Sequence, residues 1–228
     1  KRESRPTEQA ILSARLTARD FSGYGILDKT PRDAVGESGI WQHLQAPSLP
    51  VADLATLVGA TSDNLATNVL LRQVGLDSVR ARTESLGLLR TALLDLVRDS
   101  RGPDDAPQLS VGSTAELSWL FGALARGEVV DTLTSSRVLG WLSLNSDLSM
   151  VAGAFGLDPL SHRGVDHGVL LVNKTGADSG VRSEAGVMRG PRAAISYAVS
   201  VQFNDSGIAA RLRVLDAMRT IGFDLLEY

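Results

Sequence analysis

The chain has 228 residues, 43% of them hydrophobic and 21% charged, with a formal net charge of −3 and no cysteine. That length and apolar fraction suit one domain, or one and a half, with a sizeable core, and exclude a largely disordered chain. Mixed charge gives no electrostatic footprint for nucleic acid, the missing cysteines remove disulfides, thiolate nucleophiles and cysteine metal sites, and no stretch approaches the roughly 18 apolar residues of a membrane span.

The basic charge is lopsided: only Lys1, Lys29 and Lys174 are lysines, and the other twenty of the 23 basic residues are arginine. The chain opens KRESRPTEQAILSARL, without an initiator Met or a signal peptide. The expectation is a chain entered part-way, with a first segment upstream.

In chain order, residues 1–50 are punctuated by Gly23, Gly25, Pro31, Gly36, Gly39, Pro47 and Pro50 and read as loops and short pieces, with a short strand over 15–21. VADLATLVGA (51–60) has Leu54, Leu57 and Val58 at helical spacing and Asp53 in the first turn. A second helix follows Ser62 and closes at Gly75, and a third runs over 78–88 to Gly87. Residues 98–113 are polar and turn-rich, a long surface loop. Ser113 or Thr114 caps the next helix, with Glu116 near its first turn, and another helix is predicted over 135–145. Segments 168–176, 183–190 and 193–203 are strands, rich in β-branched residues and separated by turn residues. The C-terminal segment reads as an amphipathic helix with Ile208, Leu212, Leu215 and Ile221 on its apolar side.

Two short strings stand apart. Ser62-Asp63-Asn64 sits at a predicted helix start and Lys174-Thr175-Gly176 at a predicted strand end. Taken singly, the first reads as an N-cap with solvating neighbours and the second as a strand end and turn. Together, in this order and in these contexts, they match two of three motifs of the penicillin-recognising serine hydrolases. Their flanks, TSDNLATNVLL, GESGIWQHL, LARGEVVDTLTSSRVLGWL and VNKTGADSGVRSEAGVM, resemble class A β-lactamases over nearly the whole chain from about residue 15.

That resemblance implies an α/β fold of the β-lactamase/transpeptidase type: an antiparallel sheet flanked by helices beside an all-helical subdomain. Residues 45–150 would be the mainly helical part, and 165–228 the strands and C-terminal helix, within one domain, 1–228, that lacks its N-terminal segment. It further implies that Ser62 relays a proton to the leaving nitrogen. Asn64 holds the catalytic lysine and the substrate side chain. Lys174 adds positive potential beside Ser62, while Thr175 and Gly176 line the substrate carboxylate and the Ala177 N–H is an oxyanion donor. Arg182, on the next strand, is a second carboxylate anchor.

The third motif, Ser-x-x-Lys, does not occur in these residues: Ile26 stands three before Lys29 and Leu171 three before Lys174. Either the nucleophile lies upstream of residue 1, together with two outer strands, or the protein is a non-acylating relative. The family's deacylating glutamate is matched only by Asp95, in Arg90-Thr-Ala-Leu-Leu-Asp95. That side chain is one methylene shorter, and a base must reach its water. The readings are therefore a β-lactam-opening serine hydrolase, a ligand-binding relative without turnover, or a DD-peptidase or esterase on the same scaffold. The resemblance adds a secreted or cell-envelope location, a small-molecule substrate, a monomer, and neither metal nor cofactor. His43, His162 and His167 lack metal-ligand spacing, Trp41, Trp119 and Trp141 read as core, and Asp104-Asp105 as solvated charge.

Overall fold

The computed structural model describes residues 25–205 and 207–228, so the strand expected over 15–21 lies outside the described residues. Two short strands, β1 (Ile26–Asp28) and β2 (Ser48–Pro50), pair antiparallel within the stretch read as loops. Helices α1 (Val51–Thr61), α2 (Asn64–Val74) and α3 (Leu76–Ser85) follow almost without linkers. Strands β3 (Ala92–Leu93) and β4 (Ser110–Val111) then pair across the base of the polar loop. Helices α4 (Thr114–Ala125) and α5 (Thr132–Leu142) lead through a 3-10 turn (Val151–Ala154) into strands β5 (Leu170–Asp178), β6 (Val181–Arg189) and β7 (Ala194–Gln202). These three form one antiparallel sheet in the order β5-β6-β7, and α6 (Ile208–Leu226) ends the chain. No helix among the described residues is long and apolar enough to cross a membrane.

The sheet lies between two apolar layers. Val172 and Ala185 pack with Trp41, Leu54, Leu70 and Phe121 of the helical side. Leu171, Met188 and Tyr197 pack with Val151, Val214 and Met218 on the other. Period-2 alternation sends successive residues of β5 to opposite layers. Lys174 thus faces the helices that carry Ser62, while Asn173 faces α6 and the 3-10 turn.

Three expectations are corrected. The buried stripe of α6 is Ala210, Val214, Met218 and Gly222, whereas of the expected face Leu215 is partly buried and Ile208, Leu212 and Ile221 are exposed. The helix is seated on the 3-10 turn, and a methyl at Gly222 would overlap the Val151 carbonyl. Close backbone approach therefore selects small residues over the most hydrophobic ones. Trp119 is 45% exposed rather than core, because α4 turns Leu117, Leu120 and Phe121 inward. Asp105 is not merely solvated, since it pairs with Arg98 at 3.2 Å.

Candidate active site

The Ser-Asp-Asn segment is the joint between α1 and α2. Ser62 ends α1 in the left-handed conformation (φ 54°, ψ 41°), and Asp63, extended, is the N-cap of α2. The capping role considered for Ser62 thus belongs to Asp63, whose Oδ1 accepts from the Ala66 N–H at 2.9 Å. This frees the Ser62 hydroxyl to leave the helix axis. The buried Asp63 also fixes the preceding loop, its Oδ2 accepting from the Ile40 and Trp41 N–H groups, each at 2.8 Å. Gly39 lies against that carboxylate with φ +110°, where any side chain would overlap it. Asn64 adds two further ties: its N–H donates to Ser38 O at 3.1 Å and its Nδ2 to Gly36 O at 3.0 Å.

Opposite this joint stands β5. Lys174 is fully buried, and its Nζ donates to Ser62 Oγ and, at 3.0 Å, to Thr175 O. Two motifs 112 residues apart therefore meet in one hydrogen bond. A cavity of about 180 Å³ opens beside them, lined by Ser38, Ser62, Asn145, Asp147 and Thr175–Ala177. A larger one of about 500 Å³ begins at the next residues along both walls, Glu37 and Asp178, and is lined further by Arg98, Asp99, Arg101 and Gln108. Glu37 sits at φ 63°, an uncommon conformation for a residue with a side chain. Among the described residues, no group of three or more His, Asp or Glu converges as a metal site.

Asn64, Asp95 and Arg182, singled out from the sequence, do not line the smaller cavity. Asp95, only 7% exposed, is saturated by arginine. Arg98 Nε reaches its Oδ2 at 3.0 Å, Arg98 Nη2 its Oδ1 at 3.2 Å, and Arg101 Nη1 its Oδ2 at 2.5 Å, while the Leu96 N–H donates to Oδ1 at 2.7 Å. Burial pushes this carboxyl up, but hydrogen bonds from Arg98, Leu96 and Arg101 outweigh it and hold it below the ordinary carboxylate range. It does not line the cavity beside Ser62. These contacts make Asp95 a staple of the 95–101 turn.

Arg182, on β6, pairs with Ala177 of β5. Its Nη1 donates to Asp178 O at 2.8 Å and Val181 O at 2.6 Å, and its guanidinium stands 5.8 Å from the Phe203 ring centre. Burial, and then the neighbouring Arg211, lower its pKa. It is not among the residues lining the small cavity. Sequence reasoning missed the third wall, Asn145 and Asp147, which carry no motif, as well as Ser38 and Glu37 in the loop that Asp63 and Asn64 clamp.

The sequence profile described as the beta-lactamase enzyme family matches residues 16–228. The chain belongs to that family. A search of curated proteins by sequence finds no match. Among solved structures, a β-lactamase from Sphaerobacter thermophilus superposes with a TM-score of 0.79 at 20% identity, covering 96% of this chain and 81% of that one. PBP-A gives 0.80 at 18% identity, covering 97% and 78%. A class A β-lactamase from Mycobacterium abscessus gives 0.77 at 20%, covering 97% and 84%. The fold is thus the α/β, β-lactamase/transpeptidase-like one, and the Ser62–Lys174 contact lies between its helical layer and its sheet.

Proposed function

We propose that the chain carries the substrate cleft of a class A-like serine hydrolase that opens β-lactams or related amides through an acyl-enzyme. The observation that carries this reading is the hydrogen bond from buried Lys174 to Ser62 across the cleft. A buried ammonium on a serine hydroxyl gives a proton path to a departing amide nitrogen and a positive field for a substrate carboxylate. Thr175, Gly176 and Arg182 would receive that carboxylate, the Ala177 N–H the oxyanion, and Asn64 the substrate side chain, which it approaches through the loop it holds. The attacking hydroxyl gives up its proton as its oxygen bonds to the carbonyl carbon, and the tetrahedral oxyanion collapses with cleavage of the C–N bond while the nitrogen takes a proton through Ser62. In this reading the nucleophile is the serine of a Ser-x-x-Lys outside these 228 residues. The reading includes a secreted or envelope location and a monomer acting on a small molecule.

A second reading is favoured by one observation. Asp95 is pinned by Arg98 and Arg101, and in this reading it does not replace the family's deacylating glutamate. Acylation would then outpace hydrolysis, as in a penicillin-binding relative, a DD-peptidase or an esterase. A variant of the structural relative PBP-A is itself solved as an acyl-enzyme complex with penicillin G. Intact-mass spectrometry of the full protein with penicillin G, beside turnover of a chromogenic cephalosporin, separates the readings. Rapid turnover with a short-lived adduct supports the β-lactamase, and a persistent adduct without turnover the second reading. No adduct overturns both.

A further inference from the structure

Behind the Lys174 strand, on the face turned away from Ser62, lies a group of buried polar residues that the chemistry above leaves unused. Strand register puts Asn173, Gly186 and Tyr197 in one row across β5, β6 and β7. Glu184 stands one step along β6 on the same face. A Cβ at Gly186 would come within 2.9 Å of Asn173 Cβ and 3.0 Å of the Tyr197 hydroxyl. The bare glycine therefore lets both neighbours reach diagonally to Glu184. Tyr197 Oη donates to its Oε1 at 2.6 Å, and Asn173 Nδ2 to the same oxygen at 2.8 Å. The Ala152 N–H, in the 3-10 turn, donates to both carboxylate oxygens at 3.2 and 3.3 Å. Asn173 has its Oδ1 left over, and it accepts from Asn145 Nδ2 at 3.1 Å. The same Nδ2 reaches Asp147 O at 3.0 Å.

The segment from Asn145 to Ala152 is thus tied twice to one carboxylate, at its start through Asn173 and at its end directly. Its first residues, Asn145–Asp147, are the wall of the cavity facing Thr175–Ala177. A carboxyl buried this deeply is costly to keep, and a packed apolar group would serve stability as well. Burial pushes Glu184 up against the pull of Tyr197 and Asn173, and raises the Tyr197 phenol as well. What the group supplies that an apolar one lacks is a single register for the wall.

We propose that Glu184 is a positioning residue of the cleft, fixing the Asn145–Asp147 wall against the Lys174 strand through Asn173 and the Ala152 N–H. Its effect on substrate rests on the reading that this cleft takes one, and its effect on the wall does not. The test compares Glu184→Leu and Glu184→Gln in the full protein. In Glu184→Leu, amide exchange over 145–152 should quicken about tenfold while α2 is unmoved. The apparent Kd for penicillin G in acylation should rise about tenfold, with the limiting rate within about twofold. Glu184→Gln keeps an oxygen for Asn173 and Tyr197, and should return the Asn145 and Asn173 side-chain amide resonances and most of the affinity. Should Glu184→Leu not fold, Tyr197→Phe is expected to shift the same readouts in the same direction by less. The proposal is overturned if exchange over 145–152 and the two asparagine resonances stay native in the variants, if rate falls with affinity, or if Gln rescues nothing. A native protein that takes up no penicillin would remove the substrate reading alone, because exchange and resonances still decide the wall.

Discussion

At the scale of single residues, Asp63 and Asp95 show how context divides similar carboxylates. Asp63 accepts from three backbone N–H groups and fastens a loop to a helix. Asp95 accepts from two arginines and fastens a turn. The depressed pKa of Asp95 has a definite sign in stability. The carboxyl, lowered from 3.8, stabilises the fold above its unfolded value, and that contribution is lost as pH falls through the folded one. Glu184 runs the other way. Raised from 4.5 by burial, it favours the fold below that value and loses this contribution as pH rises through its folded pKa. Denaturant titrations between about pH 2 and about pH 7 should therefore show a shallower acid limb in Asp95→Asn. In Glu184→Gln the decline on the rising-pH side should be smaller. Unchanged limbs in both would contradict these assignments. Asp95→Ala should cost about 1–3 kcal/mol, because it removes an acceptor shared by two part-buried guanidiniums.

At the scale of elements, legibility tracks how much of each signal is local. The helices 51–60 and 64–75 and the three strands were readable to within two or three residues, because period and punctuation coincide there. The α6 face was not. Its seat is the backbone of a 3-10 turn that carries no periodic pattern, so contact is made by Ala210 and Gly222 as much as by Met218. Met218→Ala should accordingly destabilise by about 2–5 kcal/mol. Leu212→Ala, on the face the sequence favoured, should stay within about 0.5 kcal/mol. Equal losses in thermal melts would reinstate the sequence reading. Gly39→Ala tests the clamp beside Ser62: strain at positive φ and overlap with Asp63 should cost about 1–3 kcal/mol and weaken ligand capture.

At the scale of the molecule, the cleft exists because a helix joint and a strand end meet across two apolar layers. Ser62 and Lys174 were legible as a pair, since two weak tripeptides in the right contexts reinforce each other. That they stand side by side followed from the resemblance and not from spacing, because the contact depends on Ser62 adopting the left-handed turn and on the pleat sending Lys174 toward the helices. The wall at Asn145–Asp147 and its support by Glu184 were invisible, since isolated polar residues in loops and strands carry no spacing. The most direct measurement is the rate of penicillin G adduct formation, followed by intact mass, in the native protein, Ser62→Ala and Lys174→Ala. Adduct formation should slow by about 10²- to 10⁴-fold in each variant, with melting little changed in Ser62→Ala. Adduct forming at the native rate in Ser62→Ala would contradict a proton path through the Ser62–Lys174 pair.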